Sequence, residues 1–365
     1  MPEKVTIIGA GNIGSTIARM LAGTGQYEIT LVDRSRAALD AFGPTDVQGG
    51  ETFSLVCADM GEVLLETLSG QFAIINAAPF QFTRFVAAAA RKVGAHYLDL
   101  TEDVEGARIV RGLAENAGSA FVPQCGLAPG FVSIKAADMA KHFSILDTIE
   151  LRVGALPQYP TKGLGYNLTW STEGLINEYC GDCDAIVNGK PVRTTALEGL
   201  ETLILDGTTY ETFNTSGGIG SLCETYGGRI KYLNYKTIRY PGHAAIMRVL
   251  LNDLRLRDDR ATLKNILERA VPTTAQDMVV ISVMVSGYYD DGRYRQETYD
   301  NKILSKPYMS AIQISTASAL CAVVDLLRMR KLPQTGLVLQ EDIPLDLFLG
   351  NRFGEVYGSS VTRIG

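Results

Sequence analysis

The chain has 365 residues, of which 46% are apolar and 20% charged, and carries a formal net charge of -6. That length exceeds one ordinary hydrophobic core and suggests two domains. The composition excludes a disordered or fibrous chain. Mild acidity leaves no basic footprint for nucleic acid or anionic lipid, so the expected ligand is a small molecule, with neither nucleic acid nor membrane as partner. Six cysteines, among them Cys57, Cys125 and Cys321 in apolar stretches, are too sparse for a disulfide framework and read as reduced thiols. No apolar leader precedes the first strand pattern, and no apolar run reaches about 18 residues. The expectation is a soluble cytoplasmic protein that self-associates as a dimer or higher homo-oligomer.

From Val5 to about Cys125, short apolar runs alternate with helical stretches: VTIIG, an apolar-periodic segment from Ile13 to Leu21, then EITLVD, FSLVCAD, FAIINAAP, HYLDLT and FVPQCG. Buried strands alternating with crossover helices predict an α/β fold, a doubly wound parallel sheet over 1–125. After Gly130 the extended runs TIELRVGAL and MVVISVMVSGYY stand among the hairpin dipeptides Asn188-Gly189, Asp206-Gly207 and Asp291-Gly292. They predict a second, α+β domain on a mixed or antiparallel sheet over 126–307. The mixed-sign stretch Asp253 to Arg269 reads as a solvated helix face. The Ala- and Leu-rich stretch from Ser310 to Leu327 predicts a well-buried helix, and 308–365 is expected to complete the first domain.

Gly9-Ala10-Gly11-Asn12-Ile13-Gly14 follows a strand and opens a helix, the context in which G-x-G-x-x-G signifies a dinucleotide site. Gly9 permits the turn, Gly11 lets the backbone approach a pyrophosphate, and Gly14 allows close helix–strand packing. Asp33 ends the second strand, where a carboxylate accepts from ribose hydroxyls and repels a 2′-phosphate, which favours NAD as cofactor. Arg34 beside it could stack on adenine or pair with a phosphate. Asp59, Ala77, Ala78, Pro79 and Thr101 follow later strands at their carboxyl ends, where ligands of open sheets lie.

Gln124-Cys-Gly-Leu-Ala-Pro-Gly130, Val153-Gly-Ala-Leu-Pro157, Gly165-Tyr-Asn-Leu-Thr-Trp-Ser171, Thr215-Ser-Gly-Gly218 and Tyr235-Lys-Thr-Ile-Arg-Tyr-Pro-Gly-His243 follow in that order. With the glycine fingerprint they span most of the chain and resemble the saccharopine dehydrogenase family, whose members oxidise or reductively form bonds at the lysine side-chain nitrogen. The combination of CGLAPGF, NLTWST and KTIRYPGH is most similar to the lysine 6-dehydrogenase branch. Saccharopine reductases carry an acidic residue at the position of Ala128 and a Phe at that of His243. The resemblance implies NAD-dependent oxidation of the ε-amine of free L-lysine to 2-aminoadipate 6-semialdehyde, with release of ammonia. Saccharopine reduction and a carboxynorspermidine-type condensation are the enzymatic alternatives, and an NAD-binding sensor without turnover is the alternative outside enzymes.

Amine oxidation by hydride loss needs the neutral amine, and lysine's ammonium has a pKa of about 10.4, so the site must take up a proton. His243 suits that task as a general base, or else it caps the turn after Pro241-Gly242. Asp99 and Lys236 are further candidates for proton transfer. Arg239 could hold the substrate α-carboxylate through a bidentate fork or join an ion pair. Glu173 could attract the α-ammonium, Tyr166 and Trp170 could wall the methylene chain, and Thr215 lies in the TSGG segment of the same site. His96 and His142 read as structural. Cys180-Gly-Asp-Cys183 has no second ligand pair, so no metal is expected.

Overall fold

The computed structural model describes residues 1–42, 53–57, 67–358 and the backbone of 361–364. Two units divide the chain, one formed by Met1–Ile134 with Ser315–Gly358 and the other by Lys135–Ile314 with Ser359–Gly365. Both division points fall inside helices, Phe131–Ala140 and Ala311–Arg328.

The first unit holds the strands β1 (Glu3–Ile8), β2 (Tyr27–Asp33), β3 (Phe53–Cys57), β4 (Ala73–Asn76), β5 (His96–Asp99) and β6 (Ala120–Val122). They lie in the order β3-β2-β1-β4-β5-β6, continued by the short strand Gly336–Leu337, and every pairing is parallel. Val5, Ile7, Ile74, Ile75, Tyr97 and Leu98 are wholly buried because crossover helices cover both faces. The strand order reverses between β1 and β4, the point at which open sheets bind dinucleotides. The helix Ala311–Arg328 has the length and apolarity to cross a membrane, but 78% of it is buried within the protein. The packing fits a core helix.

In the second unit come β7 (Ile145–Pro157), β8 (Asp182–Val187), β9 (Lys190–Thr195), β10 (Glu201–Leu205), β11 (Thr208–Asn214), β12 (Tyr232–Arg239), β13 (Asp277–Tyr288) and β14 (Tyr294–Leu304). The order is β10-β11-β12-β7-β13-β14, with β8 on β12 and β9 on β8. Among the described strands of this unit only β12 and β7 pair in parallel, so the sheet is mixed. Asn188-Gly189 and Asp206-Gly207 make two-residue hairpins in which all four residues have positive φ, between +48° and +78°. That is the type I′ geometry these residues favour. Asp291-Gly292 sits in a longer loop closed by Tyr289 N–H donating to Arg293 O at 3.0 Å.

The helix Arg260–Ala270 exposes its charged side and turns Leu263 and Leu267, four residues apart, into a core with Tyr166, Tyr179, Phe213 and Met247. One feature departs from the expected division at the C-terminus. Val361–Ile364 pairs antiparallel with β14 in the second sheet, where it covers an open strand edge, while Ser315–Gly358 belongs to the first unit.

Candidate functional site

β1 ends at Ile8, and Gly9 to Gly14 turn the chain into the helix Asn12–Ala22. Gly9 has φ +106°, and a Cβ there would lie 2.7 Å from the Ala77 carbonyl. A Cβ on Gly14 would meet Gly9 O at 1.9 Å, so both positions admit only glycine. Above Gly11 the space is open: a Cβ there would touch nothing within 4 Å. Gly11 is also the N-cap and brings no side-chain cap, which leaves the helix N-terminus to an anion. This cradle fits the pyrophosphate of a dinucleotide.

Asp33 closes β2. Its Oδ2 accepts Ala10 N–H at 2.8 Å and its Oδ1 accepts Ser35 N–H at 2.8 Å. The carboxylate thus pins the fingerprint loop, and each oxygen keeps a lone pair for a ribose hydroxyl. Arg34 is exposed. Asp59 lies outside the described residues. At the end of β4, Ala77 and Ala78 are half-buried and Pro79 is exposed. Asn76, which the sequence did not single out, fixes that turn by accepting Ala78 N–H at 3.2 Å.

Asp99, at the end of β5, is fully buried and accepts three hydrogen bonds: from Thr101 N–H at 3.1 Å, Gln124 N–H at 2.8 Å and Tyr97 Oη at 2.8 Å. Burial pushes its carboxyl up to about 6, against those bonds. This is the geometry of a tie between β5 and the Gln124–Gly130 turn. Thr101 is buried beside it, its Oγ1 accepting Asp103 N–H at 3.2 Å. Gly130, with φ +134°, closes the turn against Gly126, leaving no room for a Cβ.

In the second unit, Arg239 ends β12 and is 2% exposed. Its Nε donates to Tyr179 Oη at 2.9 Å and its Nη1 to Ile238 O at 2.8 Å. The guanidinium lies over the Tyr166 ring at 5.1 Å. Among the described residues no carboxylate stands within ion-pair distance of it, and Glu178 acts on it only from farther away. His243, 1% exposed, begins the next helix. Its Nδ1 lies 3.0 Å from Leu164 O and its Nε2 2.9 Å from Tyr179 Oη. Burial first, then the Arg239 charge, lower its pKa to about 3. Neither ring nitrogen is open to a substrate proton here, which counts against the general-base role and leaves the ring a neutral, structural acceptor.

Lys236 is separated from this group. Three residues before Arg239 on the same strand, it points to the opposite face. There its Nζ donates to Gly199 O at 2.7 Å and pairs with Glu201, beside Arg152. Glu173 is exposed and pairs with Lys264 at 2.7 Å. Trp170 is half-buried against the helix Thr172–Cys180. Thr215 Oγ1 and Asn167 Oδ1 are buried without a hydrogen-bond partner among the described residues, and the Tyr166 hydroxyl is buried beside Thr169 and Trp170. Cys180 and Cys183 are free thiols whose pKa values burial raises, the reverse of what a metal-binding thiolate needs.

Three residues that sequence reasoning passed over hold this group together. Tyr179 bridges Arg239 and His243. Glu211 on β11 accepts Gly242 N–H at 2.8 Å and Ala244 N–H at 2.6 Å, clamping the turn that presents His243. Glu178 is buried next to Tyr179 in the chain. Only burial sets them apart from ordinary helix and strand residues, and burial of a polar side chain has no local signature.

Residues 5–122 match the family description "saccharopine dehydrogenase NADP binding domain", and residues 126–351 match "saccharopine dehydrogenase C-terminal domain". Among solved structures, the apo saccharopine dehydrogenase (L-Glu forming) of Saccharomyces cerevisiae superposes with a TM-score of 0.81 at 14% identity, over 100% of this chain and 99% of that one. A myo-inositol dehydrogenase from Corynebacterium glutamicum gives a TM-score of 0.44 at 11% identity over 99% of each chain. Aspartate dehydrogenase from Thermotoga maritima gives 0.40 at 11% identity, over 90% of this chain and 97% of that one.

Proposed function

The chain belongs to the saccharopine dehydrogenase family, and from that premise we propose that it is an NAD-dependent oxidoreductase acting on the ε-amine of L-lysine. Membership makes it an oxidoreductase with a nicotinamide dinucleotide site. The balanced reaction is L-lysine, NAD+ and water giving 2-aminoadipate 6-semialdehyde, ammonia, NADH and a proton, the nicotinamide supplying the hydride acceptor.

The observation that carries the substrate reading is Arg239. A guanidinium 2% exposed with no acid partner among the described residues is costly unless an anion completes it. An α-carboxylate matches its fork. Thr215 Oγ1 and Asn167 Oδ1, both buried and unpaired among the described residues, offer further polar contacts to an amino acid in the same unit. Ala128 in place of an acidic residue argues for the free amino acid over saccharopine. The ε-ammonium must shed its proton before hydride leaves, and His243, with both ring nitrogens committed, is not its acceptor.

NAD is favoured over NADP because Asp33 presents a carboxylate at the ribose position, where a 2′-phosphate would be repelled. Incubation with NAD+ and, in turn, lysine, saccharopine, ornithine and diamines, with NADH absorbance as readout, tests the proposal. Lysine should give the highest kcat/KM. Faster NADH formation from saccharopine would overturn it, and no NADH from any amine would leave a binding protein without turnover.

A further inference from the structure

We propose that Tyr179 is the positioning residue that aims the Arg239 guanidinium, its own hydroxyl being oriented by His243. The inference rests on the reading of Arg239 as the carboxylate holder. Leu164 O can only accept, so His243 Nδ1 carries the proton, and the neutral ring offers Nε2 as an acceptor. The Tyr179 hydroxyl must then donate to Nε2, at 2.9 Å, and its lone pairs face Arg239 Nε–H, also at 2.9 Å. The order of donation is fixed from end to end: guanidinium to phenol, phenol to imidazole, imidazole to carbonyl.

The surroundings allow little other movement. Tyr179 and Tyr166 meet the His243 ring edge-on, at 5.8 Å and 5.3 Å, and Phe213 stacks on it at 6.2 Å. Gly242, at φ +99°, and the Glu211 clamp set where the ring enters. With Nε held by Tyr179 and Nη1 by Ile238 O, Nη2 makes no hydrogen bond to the described residues. Its two N–H groups and the second N–H of Nη1 are the donors left for a ligand, and together they form the fork. Without the phenol oxygen the guanidinium would keep its burial but lose the bond that fixes its fork.

Tyr179→Phe removes only that oxygen. For the variant, KM for lysine should rise at least tenfold, the scale of a lost hydrogen bond to a charged group, with kcat falling less than threefold. KM for pentane-1,5-diamine, which has no carboxylate, should stay within twofold. An equal rise for both substrates would mark Tyr179 as structural only and overturn the proposal. Because the variant could fold poorly, the wild type is also labelled with 15N at histidine, and the His243 resonances are identified by their loss in His243→Phe. An Nδ1–H, hydrogen-bonded Nε2 ring is expected; an Nε2–H ring or an imidazolium would overturn the relay. If the wild type oxidises no lysine, the substrate reading fails, while the imidazole spectrum still decides the relay.

Discussion

Asp33 has two tasks at the scale of the residue. It pins the glycine loop through Ala10 and Ser35 and keeps lone pairs for the ribose. Asp33→Ala should weaken NAD by about 1–3 kcal/mol and narrow its preference over NADP, both read from fluorescence titrations. Equal affinity of the wild type for the two nucleotides would contradict the assignment. His243 makes a pH prediction. Its pKa falls from 6.5 to about 3 on folding, so the unfolded chain takes a proton that the folded ring refuses. Stability from this site is complete above pH 6.5 and is lost as pH falls toward 3, by up to about 1.4 kcal/mol per unit. Asp99, raised to about 6, tilts the other way but is common to wild type and variant. Urea titrations at pH 7 and pH 5 should therefore show a larger loss for the wild type than for His243→Phe. Equal losses would mean the ring is not held neutral.

At the scale of the element, the glycine fingerprint separates packing from ligand approach. Gly14→Ala drives a Cβ into Gly9 O, so it should cost about 1–3 kcal/mol of stability, as overpacking does, and abolish NAD binding. Gly11→Ala meets open space and should melt like the wild type while still losing NAD. Calorimetry and nucleotide titration on the pair check this, and unchanged NAD affinity in Gly11→Ala would refute the cradle. These elements were legible because their signals are local. The fingerprint sits between a strand and a helix, and Asn188-Gly189 and Asp206-Gly207 demand positive φ. The separation of Lys236 from Arg239 has a reason equally local: three residues apart on one strand, the two side chains face opposite ways. Tyr179 and Glu211 were not legible, because their partners lie 60 to 64 and 31 to 33 residues away along the chain.

At the scale of the molecule, alternation of strands and helices fixed a parallel sheet in the first unit, and long apolar runs with hairpin dipeptides fixed a mixed sheet in the second. Ser315–Gly358 belongs to the first unit. The crossing of Val361–Ile364 to the second sheet was not legible, since pairing with β14 is non-local and the segment is only four residues long. The family makes the chain an oxidoreductase, and Arg239, buried with no acid partner among the described residues, supports the proposed substrate, an amino acid held by its carboxylate. L-Lysine labelled with 15N at the ε position, incubated with the protein and NAD+, tests that assignment most directly. One labelled ammonium should appear for each NADH formed, with the α-nitrogen retained in the product. Release of the α-nitrogen, or NADH formed without ammonium, would contradict it.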